Sequence, residues 1–283
     1  MAKDGLIRAA RGRLSRALAP AVARAARHYV AGDRAEDAIC VARALEVRSV
    51  RATVGYWNDS EEPAEHVEAE YAACLDALER AGLAGYLSIK LPALGADDAR
   101  LDRVLARARG RRVHFDSLGP EHADRTFDAI ERRLRAHPDL GCTLPGRWRR
   151  SVPDAAWAAS KGVFVRVVKG QWGDPGAPER DARAGFLEVV EALAGRARKV
   201  LVATHDAALL ERALARLGAA GTPTAVEVLH GLPRRRAVKV ARRLRVPLRV
   251  YVPYGSSWLP YSLEQVRRRP ALLVWALADR VGL

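Results

Sequence analysis

The chain has 283 residues, 49% of them hydrophobic, which is enough to bury a substantial core and excludes the disordered class. Its 48 lysine and arginine residues against 33 aspartate and glutamate residues give a formal charge of +15, which attracts anionic partners and leaves open a peripheral contact with an anionic membrane. No nucleic-acid-binding motif accompanies the charge and no apolar run approaches the roughly 20 residues that span a bilayer, so we expect neither a nucleic-acid partner nor a membrane span.

The first predicted element is an N-terminal helical segment, residues 1–46, that precedes the main domain at residues 47–283. Its opening stretch is rich in arginine and alanine, a composition similar to that of a transit peptide, but it lacks the apolar stretch of a secretory signal. We favour an amphipathic helix with a solvated face. We therefore expect this segment to pack against the main domain.

Short runs rich in valine, isoleucine and leucine recur along the rest of the chain and predict eight strands. They lie at residues 48–55, 86–91, 112–116, 140–144, 163–169, 199–205, 225–230 and 248–253. Helical patterns alternate with these runs, and such alternation is typical of parallel βαβ units. Eight units in about 235 residues predict an α/β fold, a (β/α)8 barrel of the TIM type. The glycine-rich fingerprint of a doubly wound dinucleotide fold is absent from the sequence.

The three cysteines, Cys40, Cys74 and Cys142, lie far apart in the sequence. Their odd number and the lack of metal-ligand spacing predict a reducing compartment and no metal site. The expected localisation is therefore cytoplasmic, with attachment at the periphery of a membrane left open by the positive charge. We interpret each cysteine as a small core residue rather than a reactive thiol.

Barrels of this type carry their chemistry at the carboxyl ends of the strands, and these ends are polar here. Lys90 has apolar neighbours and should either point at a site or reach the rim. Arg166 lies in the apolar run "VFVRVVKG", where it needs an anionic partner because burying it unpaired is costly. Asp116 is the natural partner, and we favour a functional pair over a purely structural one because both residues fall at strand ends. His205 has no second ligand at metal spacing, so we expect it to hydrogen-bond a ligand.

Five motifs, in this order, resemble those of the proline dehydrogenase family. They are "LSIKLPALG" with Lys90, "VHFDS" with Asp116, "VRVVKGQW" with Arg166 and Lys169, "ATHD" with Thr204 and His205, and "YVPYGSSWLPY" with Tyr251. The resemblance covers about residues 48–275, and "RVVKG" and "YVPYG" are its most specific parts. It implies an FAD-dependent oxidoreductase that acts on the CH–NH group of L-proline, passes hydride from the ring carbon beside nitrogen to flavin N5 and yields pyrroline-5-carboxylate. The electrons then go to a quinone or another acceptor.

The resemblance also implies roles for individual residues. Arg166 would stabilise the negative charge that develops near flavin N5, Asp116 would hold it in place, and Tyr251 would wall the substrate pocket; these three are the catalytic candidates. The candidate cofactor contacts are Ser117, Pro145, Arg166, Lys169, Gly170, Gln171, Thr204 and His205. The candidate substrate contacts are Lys90, Tyr251, Tyr261, Glu264, Gln265, Arg267 and Arg268. We expect FAD to be bound non-covalently because no cysteine or histidine lies in a recognisable flavin-attachment motif.

Two positions depart from the family pattern. The fourth strand of the family normally supplies a glutamine to the flavin, but Pro145 stands there and has neither a side-chain donor nor a backbone N–H. Arg147 is a candidate to replace that contact. The last helix of the family normally carries an arginine pair that clamps the substrate carboxylate together with the lysine of the second strand. An ungapped alignment places Glu264 and Gln265 at those positions, where a carboxylate would repel a carboxylate substrate.

The altered clamp leaves several interpretations open. The substrate bears an amine, guanidinium or amide where proline bears its carboxylate, or Arg267 and Arg268, on a neighbouring part of the same helix face, do the clamping instead. These arginines also fit a solvated helix end. A further alternative, from a different functional class, is a catalytically silent barrel that binds an anionic partner through its basic surface. The presence of Lys90, Asp116 and Arg166 argues against that alternative.

Overall fold

The computed structural model describes residues 30–255, and within them eight parallel strands close into a barrel. The strands are β1 (Arg51–Tyr56), β2 (Tyr86–Ile89), β3 (Val113–Phe115), β4 (Leu140–Pro145), β5 (Phe164–Val168), β6 (Val200–Ala203), β7 (Thr224–Leu229) and β8 (Leu248–Tyr254). Each strand pairs with its neighbours in chain order and β1 pairs with β8, so the sheet has no open edge. The predicted (β/α)8 fold is confirmed.

Helices alternate with these strands on the outside of the barrel. They are α1 (Ala35–Glu46), α2 (Ala64–Arg80), α3 (Asp98–Ala108), α4 (Ala123–Arg133), α5 (Ser151–Ser160), α6 (Ala182–Leu193), α7 (Ala207–Ala219) and α8 (Arg235–Arg243). Helix α1 precedes the barrel, and α2 to α8 follow β1 to β7 in turn. The helix predicted after β8 lies outside the described residues.

The strand ends explain how polar side chains reach one end of the barrel. β2 stops before Lys90 because Pro92 lies in the first turn of a short 3-10 helix, Leu91–Leu94, for which Lys90 is the N-cap. At α6, the side chain of Asp181 accepts hydrogen bonds from the backbone N–H groups of Arg183 and Ala184, so the helix begins at Ala182. Because all eight strands are parallel, their carboxyl ends meet at one face of the barrel, which we call the mouth. The opposite face is the base.

Helix α1 packs on the barrel and shares its hydrophobic core. The Ala31 N–H donates to the Pro253 carbonyl at 2.8 Å, which ties the described part of the N-terminal segment to β8. The boundary between residues 46 and 47 stays a prediction. Cys74 and Cys142 are buried, as expected, but Cys40 is exposed on α1, so the expectation of a core position was wrong for that residue. No helix within residues 30–255 is long and apolar enough to cross a membrane.

Candidate active site

Arg166 of β5 lies at the centre of the mouth, and only 3% of the residue is exposed. Its Nη1 donates to Oδ1 of Asp116 at 2.5 Å, and its Nε forms an ion pair with Oε2 of Glu227 at 2.5 Å. Burial works to lower the pKa of Arg166, but the charges of Glu227 and Asp116 outweigh it and raise that pKa above its usual value. The guanidinium is therefore a permanent cation, held between carboxylates from two other strands.

Asp116 is held in turn by hydroxyl donors from two sides of the barrel. Ser88 Oγ donates to its Oδ1 at 2.8 Å, and Tyr251 Oη donates to its Oδ2 at 2.8 Å. Burial and the charge of Asp116 raise the pKa of Tyr251 well above its usual value, so this hydroxyl keeps its proton. A Cβ at Gly55 would lie 2.0 Å from the Tyr251 hydroxyl. Glycine at this position of β1 therefore lets the tyrosine reach Asp116.

Glu227 also lies at the mouth, beside Arg166, but the sequence analysis did not predict it as a site residue. It is 2% exposed, and its Oε1 accepts a hydrogen bond from Thr53 Oγ1 at 2.6 Å. The signal was present in the sequence, because a carboxylate in the apolar run "AVEVLH" needs a cationic partner as much as Arg166 needs an anionic one. The sequence analysis predicted Asp116 as the anionic partner of Arg166, whereas the structure shows Glu227 as a second carboxylate partner.

Lys90 lies half-buried at the wall of the mouth. Its Nζ donates to the Tyr56 carbonyl at 2.6 Å and to Oδ1 of Asn58 at 3.1 Å, and its backbone N–H donates to Tyr71 Oη at 2.9 Å. Burial lowers the pKa of Lys90 to about 8, although the charges of Asp116 and Glu62 oppose this shift. Of the two expectations for Lys90, the structure therefore favours a side chain that points at a site.

A cavity of about 440 Å³ opens at the mouth. The predicted site residues that line it are Lys90, Asp116, Ser117, Pro145, Arg166, Gly170, Gln171, Thr204, His205 and Tyr251. Lys169 directly follows β5 but is not among the described residues that line the cavity. The remaining predicted substrate contacts, Tyr261, Glu264, Gln265, Arg267 and Arg268, lie outside the described residues. The structure thus brings together predicted residues from six of the eight strands and the loops that follow them.

One side of the cavity is formed by the ends of β4 and β5. Gly170 has a φ of +90°, in the region that favours glycine, and a Cβ there would lie 2.8 Å from Cβ of Pro145. Trp148 Nε1 donates to the Trp172 carbonyl at 3.1 Å, which fixes the loop that follows β5. Arg147 is 3.7 Å from Glu179 and is not among the described residues that line the cavity. The suggested role of Arg147 in place of Pro145 stays a prediction.

The ends of β6 and β7 form the other side. The Leu229 N–H donates to Nε2 of His205 at 2.9 Å, and Nδ1 of His205 donates to the Pro233 carbonyl at 2.8 Å. Thr204 Oγ1 accepts from the Asp206 N–H at 3.2 Å. These contacts orient both side chains at the cavity wall. Any hydrogen bond from the His205 ring to a ligand competes with its two backbone contacts, so the predicted cofactor role of His205 stays a prediction.

Comparisons with known proteins agree with the sequence motifs. No family model matches the chain. It is 24% identical over 270 residues to proline dehydrogenase 1 of Bacillus subtilis (strain 168), covering 89% of each protein. It is 25% identical over 268 residues to a proline dehydrogenase of Deinococcus radiodurans, covering 87% of this chain and 86% of that one. These relatives confirm the resemblance that the motifs indicate.

Solved structures with the same fold include proline utilization A (PutA) from Bdellovibrio bacteriovorus, inactivated by N-propargylglycine. It matches with a TM-score of 0.74 at 16% identity, over 86% of this chain and 32% of that one. PutA from Corynebacterium freiburgense matches with a TM-score of 0.68 at 14% identity, over 94% of this chain and 34% of that one. The chain therefore spans about a third of the length of these PutA chains.

Proposed function

We propose that this chain, a divergent member of the proline dehydrogenase family, is an FAD-dependent oxidoreductase that acts on the CH–NH group of L-proline or a related amine. The observation that carries the proposal is the arrangement around Arg166. A buried, permanently charged guanidinium lies at the floor of an open cavity, with Lys90 and Tyr251 beside it. A barrel that needed only stability would not require such a buried cation beside a cavity.

The residues at the mouth are compatible with FAD. A flavin, when bound, supplies a hydride acceptor whose reduced form tends towards an anion. Arg166 provides a fixed cation for that charge without reorganisation, because Asp116 and Glu227 already orient its guanidinium. Ser117, Gln171 and Thr204 supply polar groups at the wall. Trp148 and Trp172 add flat aromatic rings to that wall. Gly170, whose φ is positive, has no side chain and so allows close packing there.

The substrate side of the proposal rests on Lys90 and Tyr251. The Lys90 ammonium is the group that would bind a substrate carboxylate. The Tyr251 ring, 5.2 Å from the Arg166 guanidinium carbon, would pack against the substrate ring. Its hydroxyl keeps its proton and stays bonded to Asp116, so Tyr251 acts as a fixed wall rather than as a base.

A substrate without a carboxylate is the second candidate. Among the described residues at the cavity wall the lysine and arginine side chains are Lys90 and Arg166, and Arg166 is already engaged by two carboxylates. The sequence places Glu264 and Gln265 where the family carries its arginine pair. Of the described cationic side chains, Lys90 then remains for a carboxylate, which favours a substrate that bears a neutral or cationic group instead.

The flavin is tested first. The purified protein should be yellow. Denaturation should release FAD into solution, which would show that the cofactor is not covalently attached. A protein that is folded by circular dichroism, is colourless and fails to take up added FAD would remove the flavoenzyme proposal.

The substrate is tested by anaerobic bleaching of the bound flavin with a panel of L-proline, hydroxyproline, pyrrolidine, other cyclic amines and basic amino acids. Saturation with proline at low millimolar levels supports a proline dehydrogenase. A preference for pyrrolidine or a basic amino acid supports the second candidate. Glu264→Arg combined with Gln265→Arg should strengthen proline-dependent bleaching through affinity if these residues face the pocket. Loss of proline saturation in Arg267→Ala or Arg268→Ala would instead locate the clamp at those arginines.

The electron acceptor and the place of action belong to the same proposal. The family resemblance implies a quinone or another acceptor, and the positive charge is compatible with a cytoplasmic protein that contacts an anionic membrane at its periphery. Reoxidation of the substrate-reduced flavin by a soluble quinone, compared with dioxygen and ferricyanide, measures the acceptor preference. Sedimentation with anionic and neutral vesicles measures the membrane contact.

A further inference from the structure

The base of the barrel, opposite the mouth, carries a second group of cations. We call Arg112, Lys199 and Arg249 the basal cluster. Arg112 and Lys199 directly precede β3 and β6, and Arg249 is the second residue of β8, so all three lie at the amino ends of strands. Because the mouth lies at the carboxyl ends, this cluster is separate from the proposed flavin site.

Two buried aromatic rings hold the arginines of the basal cluster. The guanidinium carbons of Arg249 and Arg112 lie 4.1 Å and 5.3 Å from the centroid of the Tyr86 ring. Arg112 also lies 3.4 Å from the centroid of the Phe164 ring. These contacts place both guanidinium groups against the rings. Nη1 of Arg249 donates to the Ala52 carbonyl at 2.6 Å, and the other N–H groups of the two arginines remain candidates to bind an anion.

The described part of the chain places no carboxylate in an ion pair with the basal cluster. Within residues 30–255, none of the three side chains forms an ion pair, although most arginines of the outer helices do. Asp139 is paired with Arg198 at 3.0 Å. Burial lowers the pKa of Lys199, and the charges of Arg112 and Arg249 lower it further. The charge of Asp139 also acts on Arg112, but Asp139 is already paired with Arg198, and burial still leaves the pKa of Arg112 below its usual value.

Unsatisfied polar atoms accompany the excess charge. Tyr86 is 3% exposed, and within the described residues its hydroxyl proton has no acceptor. The Nε atom of Arg112 is buried and likewise has no hydrogen-bond partner there. Buried donors without acceptors are rare because each one costs free energy. An anion at the base would accept hydrogen bonds from both donors and neutralise the cations.

The rest of the chain is a poor source of that anion. Residues 1–29 and 256–283, which lie outside the described residues, are themselves richer in basic than in acidic residues. The neutralising group is therefore expected to come from a ligand.

We propose that the basal cluster is a binding site for a phosphate group, either free phosphate or a phosphomonoester. A phosphate dianion presents several oxygens in a tetrahedral arrangement, so it can accept from donors that converge from Arg112, Lys199, Arg249 and Tyr86 at once. A planar carboxylate with one charge would leave more of the cations uncompensated. The site is independent of the proposed oxidoreductase activity, since it lies at the opposite end of the barrel.

Isothermal titration calorimetry tests the site on the full chain, saturated with FAD so that the cavity at the mouth is occupied. The probes are inorganic phosphate, glycerol phosphate and vesicles that contain phosphatidic acid, each compared with potassium chloride at equal ionic strength. Phosphate should bind the wild type, and Lys199→Met should weaken that binding about tenfold or more, since one charged hydrogen bond is lost. Arg216→Met, which removes an exposed cation on α7, is the control and should bind phosphate like the wild type.

Tyr86→Phe is the second variant, because it removes only the hydroxyl and should keep the fold as judged by circular dichroism. It should bind phosphate a fewfold more weakly than the wild type. Tighter binding of glycerol phosphate than of inorganic phosphate identifies a soluble phosphomonoester as the ligand class, and binding to the vesicles alone identifies a lipid headgroup. Two results would overturn the proposal. One is a binding heat with phosphate that is no larger than the heat with potassium chloride. The other is an equal phosphate affinity in the wild type, Lys199→Met and Tyr86→Phe.

Discussion

At the mouth of the barrel Arg166 lies between Asp116 and Glu227, whereas at the base Arg112 and Arg249 lie on aromatic rings with no carboxylate in reach among the described residues. Both ends bury cationic side chains, but only the mouth supplies their counter-charge from the chain itself. A cation that must keep one orientation in every state of the protein is best held by fixed carboxylates. A cation that binds an anionic ligand must keep at least some of its N–H donors available to that ligand.

The largest effect is expected from Glu227→Ala. The substitution leaves Arg166 buried with one of its two carboxylates missing, and breaking a buried ion pair from one side typically costs about 3–5 kcal/mol of unfolding free energy. Urea denaturation followed by circular dichroism measures the loss. Glu211→Ala, which breaks an exposed ion pair with Arg243, is the matched control and should cost no more than about 1 kcal/mol. Equal small losses in both variants would show that Arg166 does not depend on Glu227.

Arg166→Lys tests whether the mouth needs a guanidinium or only a charge. Lysine keeps the charge but cannot address Asp116 and Glu227 together through a planar fork. We expect the fold to persist and flavin reduction to slow by about a hundredfold, which corresponds to about 3 kcal/mol in the barrier. Anaerobic stopped-flow measurement of flavin bleaching gives the rate, and circular dichroism checks the fold. A rate within about twofold of the wild type would make Arg166 purely structural.

A pH series tests Lys90. Its pKa is lowered to about 8 by burial, so its positive charge is present below pH 8 and is lost as the pH rises through that value. If Lys90 binds the substrate carboxylate, the KM for proline should rise above pH 8, with a limiting slope of about tenfold per pH unit. Pyrrolidine, which has no carboxylate, should not show this rise in KM. A KM for proline that is level between pH 7 and 9.5 would remove Lys90 from the carboxylate site.

The smallest effect is expected at the base. Burial and the neighbouring arginines lower the pKa of Lys199 below its value in the unfolded chain, so the folded state binds this proton less tightly. The charge therefore destabilises the fold at neutral pH, and this destabilisation disappears as the pH rises through the folded and then the unfolded pKa. In phosphate-free buffer, Lys199→Met should raise the unfolding free energy by about 0.5 kcal/mol or more.

The same urea denaturation in phosphate buffer shows whether the basal cluster binds an anion. Phosphate should stabilise the wild type more than Lys199→Met, because a ligand that binds only the folded state adds to its stability. A wild type that is already more stable than Lys199→Met without phosphate would indicate a counter-charge supplied by the chain, as at the mouth.

Much of the candidate site could be predicted because it depends on local patterns. The eight apolar runs define the strands, and parallel strands in a barrel bring their carboxyl ends to one face. Lys90 and Asp116 directly follow β2 and β3, whereas Arg166 and Tyr251 lie inside β5 and β8. Their convergence around one cavity follows once the barrel is inferred. The strand limits shifted by a few residues where prolines and caps end the elements, as at Lys90.

The partners of these residues were decided by barrel closure. Thr53 and Glu227 are 174 positions apart in the chain and come into hydrogen-bond contact only because β1 and β7 both flank β8. Gly55 owes its role to the hydroxyl of Tyr251, which passes over it from the neighbouring strand. The same holds for His205, whose ring nitrogens are taken up by the backbone at and after the end of β7.

The amino-acid sequence alone was enough to predict the fold class and most of the described side chains at the mouth, although not Glu227, because periodicity and strand-end position are properties of short segments. It did not determine which charges compensate each other. Whether a buried arginine is paired, as Arg166 is, or left for a ligand, as we propose for Arg112, depends on side chains from distant strands that meet inside the closed barrel. Only the tertiary structure decides that, because electrostatic compensation is set by distance in space and not by distance along the chain.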